Sequence, residues 1–183
     1  MIALKRASKG VTLIELIIVL TILAVLSSIA FPSLNNLRQS AISRSARSDL
    51  TVAISQARSS AIMKQRRVVA CPSSDLDQCA HSVDWHHGWM VFVDDNRDRK
   101  RDADEQIVAV GQALPNGVAI VGSRGRYQVS FQPDGTADGS NLTFTVCDRR
   151  GPAHASSLVM NNAGRLRKGT PSPAQAQTAC AAI

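Results

Sequence analysis

The hydrophobic rhythm of the chain changes twice. Residues 11–31 are almost wholly apolar, VTLIELIIVLTILAVLSSIAF, with Glu15 as the single charge. At about 1.5 Å per residue, a helix of this length spans roughly 30 Å, the thickness of a bilayer core. Beyond it the apolar positions thin to Leu34, Leu37, Ala41 or Ile42, Ala46, Leu50, Ala53 or Ile54, Ala57 and Ala61. That spacing predicts one narrow apolar face on a continuing helix. One long helix over residues 11–66 is expected, with its second half packed on a sheet. Pro32 lacks a backbone donor and is expected to kink or loosen it.

After Arg67 the rhythm shortens to β-like runs at 68–71, 89–93, 107–110, 118–121, 127–131, 142–146 and 158–160. Pro115-Asn116-Gly117, Gly122-Ser123-Arg124-Gly125 and Pro133-Asp134-Gly135 supply turns between them. The prediction is an α+β protein whose helix lies on an antiparallel β-sheet head. Pro171-Ser172-Pro173-Ala174-Gln175-Ala176 reads as an irregular tail that only Cys180 anchors. The organisation expected is a basic leader (1–10), a membrane-spanning helix (11–31), an amphipathic helix (32–66) and a head (67–183).

Charge sharpens this division. The net charge is +7, made of +3 in residues 1–10, −1 at Glu15, +6 in 32–67, −6 in 68–148 and +5 in 149–183, where no acid occurs. Lys5, Arg6 and Lys9 before the apolar run hold the N-terminus in the cytoplasm and place the head outside. An acid-free basic end after an acidic middle points to a localised anionic partner. In an exported head, Cys71, Cys79, Cys147 and Cys180 read as disulfides. Three connectivities are open, and Cys71–Cys79 with Cys147–Cys180 is favoured. A rival zinc set of Cys71, Cys79, His86 and His87 fits no common spacing, so no metal or other cofactor is expected.

No small-residue cleavage site follows the apolar run. The alternative cut lies before it, between Gly10 and Val11, leaving the helix on the mature chain. A carboxylate within an apolar span costs about 2.5–3.5 kcal/mol on insertion scales. Glu15 is therefore a functional candidate: it can neutralise the new amine at Val11, in its own chain or a neighbour's. The run KGVTLIELIIVLTILAVLSSIAFPSL resembles the class III signal of type IV prepilins and type II secretion pseudopilins. The resemblance implies cleavage by a prepilin peptidase, N-methylation of Val11, and subunit docking through Glu15. Val11 itself departs from the phenylalanine that many members carry. Asp84-Trp85, the run from Gly88 to Asp94, Phe131-Gln132-Pro133-Asp134-Gly135, Cys147 and Asn162-Ala163-Gly164-Arg165 resemble the pseudopilin H group, which includes FimT- and FimU-type minor pilins.

Candidate chemistry is sparse. Asp94, Asn96, Asp98, Asp102 and Glu105 fall at the offsets of a calcium loop. Arg99 stands where that loop needs glycine, and neighbouring bases make a solvated, self-neutralising loop the better reading. No nucleophile–base constellation stands out among the serines, histidines and aspartates, and no enzyme is expected. The basic end is more informative. Asn161-Asn162-Ala163-Gly164 should turn the chain and present Arg165, Leu166, Arg167 and Lys168. In an extended segment Arg165 and Arg167 share a face and Leu166 points inward. Forked guanidiniums suit phosphate oxygens, and Arg149 and Arg150 are candidate extensions of the patch, as are Arg124 and Arg126. The Gly164-Arg165-Leu166-Arg167 run resembles the GRxR motif associated with DNA binding in FimT-type pilins of naturally transformable bacteria. It implies a minor pilin of the inner membrane and then of the pilus, with other pilins and double-stranded DNA as partners. Competing expectations are a structural minor pilin that primes or caps assembly, and a type II secretion pseudopilin H.

Overall fold

The computed structural model describes residues 10–137, 139 and 141–183, with backbone alone at 29–33. The leader's Lys5, Arg6 and Lys9 lie outside the described residues. Helix α1 (Leu13–Lys64) runs through Pro32 without ending. The chain divides into two compact units, residues 1–38 and 39–183.

In the first unit the apolar side chains stand open: Leu13 is 78% and Leu26 59% exposed, and Leu34 and Leu37 are likewise exposed. Thr12 Oγ1 accepts the Glu15 amide at 3.3 Å. Thr12-x-x-Glu15 is thus half of a capping box, and Glu15 sits where a negative charge favours a helix N-terminus. The side chains placed without interruption, residues 13–28, amount to about 24 Å of helix. Among the described residues no helix is both long and apolar enough to cross a membrane.

In the second unit Ala46, Leu50, Ala53, Ile54, Ala57 and Ala61 of α1 are buried. Four of these six are alanines, so the stripe that packs on the strands is narrow. Those strands form two four-stranded sheets, in keeping with the antiparallel head expected. The first is ordered β3 (Ile107–Gly111), β2 (Trp89–Asp94), β1 (Arg67–Pro72), β5 (Val129–Phe131). The second is ordered β4 (Val118–Val121), β6 (Leu142–Asp148), β7 (Ser156–Met160), β8 (Leu166–Gly169). All pairings are antiparallel. The α1-facing core joins Val68, Ala70, Val91, Phe131, Ile120, Phe144, Val146, Leu158 and Met160 around Trp85, whose ring meets Phe144 edge-on at 5.0 Å.

Each outer sheet face has its own staple. The Cys71–Cys79 bridge, Cα atoms 5.6 Å apart, belongs to the cluster of Val69, Met90 and Phe92. Cys147–Cys180, at 5.2 Å, ties the C-terminus to Val121 and Ala179. Both expected pairings are present. The tail, however, is not irregular: Pro173–Cys180 forms helix α2, with Ser172 and Gln175 in a reciprocal capping box and proline in the first turn.

Candidate nucleic-acid interface

The C-terminal cations sit on a hairpin built by one glycine. Strands β7 and β8 pair Met160 with Leu166 and Ser157 with Gly169. Between them the Gly164 amide donates to the Asn161 carbonyl at 2.9 Å, and the Arg165 amide to Asn161 Oδ1 at 3.0 Å. Gly164 holds φ +70°, and a Cβ there would stand 2.5 Å from the Gly135 carbonyl oxygen. Only glycine meets both demands. That carbonyl also accepts Arg58 Nε at 2.9 Å, so helix, Pro133-Asp134-Gly135 turn and hairpin meet at one point.

Arg165 leaves the turn exposed, and β8 continues as an edge strand with Leu166 half-buried and Arg167 and Lys168 exposed. Leu166 packs against the main core, as expected. The pleat puts Lys168 on the helix side with it and Arg167 on the opposite side. Two grooves that share Thr51 and Leu166 in their lining run between α1 and β8. One, about 360 Å³, is lined by residues including Arg58, Gly164, Arg165 and Leu166. The other, about 340 Å³, is lined by residues including Arg44, Arg47, Leu166, Arg167 and Lys168. Among the described residues no carboxylate lines either groove. Three arginines of α1, Arg44, Arg47 and Arg58, thus border the hairpin.

Pairing separates these cations from others in the chain. Arg66, Arg67 and Arg101 are bridged to Asp95, Asp94 and Asp77. Arg150 holds Asp148 with two bonds, 2.9 Å from Nε and 2.7 Å from Nη2. Burial pushes the Asp148 carboxyl up, but the Arg150 bonds and the Ser43 hydroxyl outweigh it and leave the group below the ordinary carboxylate range. By contrast, among the described residues Arg44, Arg47, Arg58, Arg165, Arg167 and Lys168 stand in no ion pair.

The expected extensions of the patch do not join it. Gly169 aligns through Ser157 with Thr145. Asp148 lies three residues further along, about 10 Å, and two strands across. Arg149 and Arg150 lie past that point, and Arg150 is neutralised there. Arg124 and Arg126 follow β4, at the opposite edge of the sheet.

The metal readings find no cage. Among the described residues no group of three or more His, Cys, Asp or Glu side chains is arranged to hold an ion. Glu105 accepts the amides of Asp95 (2.7 Å) and Asp102 (3.1 Å), and Asp94 accepts that of Arg99 at 3.2 Å. The acidic loop thus closes on its own backbone. Burial holds the Asp94 carboxyl above its ordinary range despite the Arg99 amide and the nearby Arg67. In the zinc set both thiols are in a disulfide. His86 is buried with Nδ1 3.3 Å from the Ile120 carbonyl oxygen, and burial lowers its pKa.

Gly10 and Val11, at the expected cleavage point, are exposed, and nothing lies within 4 Å of a Cβ built on Gly10.

Residues 46–164 match the type II transport protein GspH family. Residues 5–31 match the prokaryotic N-terminal methylation motif. Two crystal structures of the type IV minor pilin FimU of Pseudomonas aeruginosa (strain PAO1) share the fold at 19% identity. One has a TM-score of 0.53, covering 75% of this chain and 93% of that one. The other, in a second crystal form, has a TM-score of 0.52 and covers 75% and 98%. The search of curated proteins finds no match.

Proposed function

We propose that this chain, which belongs to the GspH family of type II transport proteins, is a minor pilin that enters the pilus and binds double-stranded DNA without sequence preference for uptake in natural transformation. The family and the N-terminal methylation motif support assembly with other pilins. Prepilin peptidase cuts between Gly10 and Val11, the apolar helix holds the chain in the inner membrane with its head in the periplasm, and Glu15 guides docking into the fibre. The chain works by binding, not by catalysis.

The observation that supports the DNA reading is the set of cations that, among the described residues, stand in no ion pair around the β7–β8 hairpin, in grooves that no described carboxylate lines. Arg165 and Arg167 supply forked donors to phosphate oxygens. Among the described residues no recognition helix or aromatic platform borders the hairpin for reading bases. The test is titration of the full chain, in an uncharged detergent, with labelled duplex DNA at two salt concentrations. Each phosphate contact contributes about 0.9 to the slope of log affinity against log salt. Arg165→Gln with Arg167→Gln should lower that slope by about 1.8. Binding that ignores salt, or that survives the double substitution unchanged, refutes the DNA reading and favours a purely structural minor pilin.

A further inference from the structure

The helix side of β8 carries cations that the hairpin motif does not include. We infer that Arg44 and Arg47 of α1, with Lys168 across the groove, form a second row of phosphate contacts, so that a DNA strand is held from both sides of the β8 edge. The inference rests on the DNA reading above and adds to it a place for the backbone and two further residues.

Arg44 and Arg47 are one helical turn apart, a rise of about 4.5 Å. Phosphates of one duplex strand advance about 3.4 Å per step along the axis, so both guanidiniums reach neighbouring phosphates of a strand that follows the helix. Both are tethered by neutral groups. Arg47 Nη1 donates to Ser156 Oγ at 3.1 Å, and Arg44 Nη1 to Ser40 Oγ at 2.9 Å. Such bonds orient the forks without cancelling their charge, and part of the ordering that phosphate binding requires is already present. Asp49, the acid nearest in sequence on α1, borders a different groove with Val52 and Gln56. Leu158 and Leu166 form the apolar floor between the two rows. Arg167 projects from the other side of the same strand, so the two rows straddle β8.

The experiment compares salt slopes of the full chain in uncharged detergent on labelled duplex DNA. Arg44→Gln with Arg47→Gln should lower the slope by about 1.8, which makes affinity roughly 12-fold less sensitive to a change from about 50 to 200 mM salt. Arg44→Lys with Arg47→Lys should keep the wild-type slope, because counterion release follows charge. Arg44→Gln alone, at an exposed helix position, should lower the slope by about 0.9 and serves where the double variant fails to fold. If the wild-type slope persists in these glutamine variants while Arg165→Gln with Arg167→Gln reduces it, the second row is refuted and the DNA reading stands. If the wild-type chain shows no salt-sensitive binding at all, the DNA reading itself falls, and this inference with it.

Discussion

Replacing Gly164 with alanine tests whether the hairpin is held by a close backbone approach rather than by its strands alone. Two separate costs arise. A non-glycine residue at φ +70° costs about 1–2 kcal/mol. The new Cβ would also stand 2.5 Å from the Gly135 carbonyl oxygen and 3.0 Å from Phe131 Cε1. Neither is the far end of a flexible chain, so the turn at Gly135 must move. That movement strains its bond from Arg58 Nε, and a hydrogen bond to a charged group is worth about 1.5–3 kcal/mol. Together the loss is about 3 kcal/mol. For a unit of this size that is a fall of about 6–12 °C in Tm. Gly125→Ala is the control. Its φ is +74°, but nothing lies within 4 Å of the added Cβ, so only the conformational cost applies, about 2–8 °C. Thermal unfolding followed by circular dichroism measures both. Equal shifts in the two variants refute the close-approach argument. The Gly164 variant should also lose DNA affinity, because the turn positions Arg165.

Three further outcomes follow from the same structure. Replacing both Cys147 and Cys180 with alanine should cost about 4 kcal/mol and replacing Cys71 and Cys79 about 2.5 kcal/mol, since loops of 33 and 8 residues restrain the unfolded chain unequally; urea unfolding should rank them so, and the reverse order contradicts this. Burial lowers the His86 pKa, so the folded state binds protons less readily than the unfolded one, and the stability His86 contributes is present above the unfolded value near 6.5 and lost as pH falls from there toward the lowered folded value. Urea midpoints at pH 7.5 and 5 should fall less in His86→Gln than in wild type, and identical pH dependence refutes it. Glu15→Ala should leave the protein in the membrane fraction but remove it from sheared fibres, while wild-type amounts in the fibres contradict a docking role.

Local signals made much of this legible in the chain. Seven strands lie near the β-branched runs that predict them, because a pleated, half-buried surface selects such residues. Small residues at helical spacing mark the buried stripe of α1. The α2 helix was legible too, in Ser172-Pro173-Ala174-Gln175, but proline and serine there read first as irregular tail. Thr12-x-x-Glu15 likewise carried a capping signal beneath the more conspicuous fact of a charge in an apolar run.

What the sequence determines by itself is whatever depends on neighbours in the chain: the apolar helix, the N-terminal methylation motif, the strand periods, the Asn161-to-Gly164 turn and the exposed cations after it. What only the tertiary structure decides depends on residues far apart in number. The split into two sheets arises because β4 leaves the first sheet and β5 returns to it. Arg150 is withdrawn from the patch by Asp148, and Arg149 by strand register. Arg44 and Arg47 join Lys168 only because β8 is the edge strand that runs beside α1. A run of like charges looks the same in a sequence whether its partner is solvent, a carboxylate or a phosphate. Burial and pairing across more than a hundred residues, as between Arg47 and Ser156, make the difference.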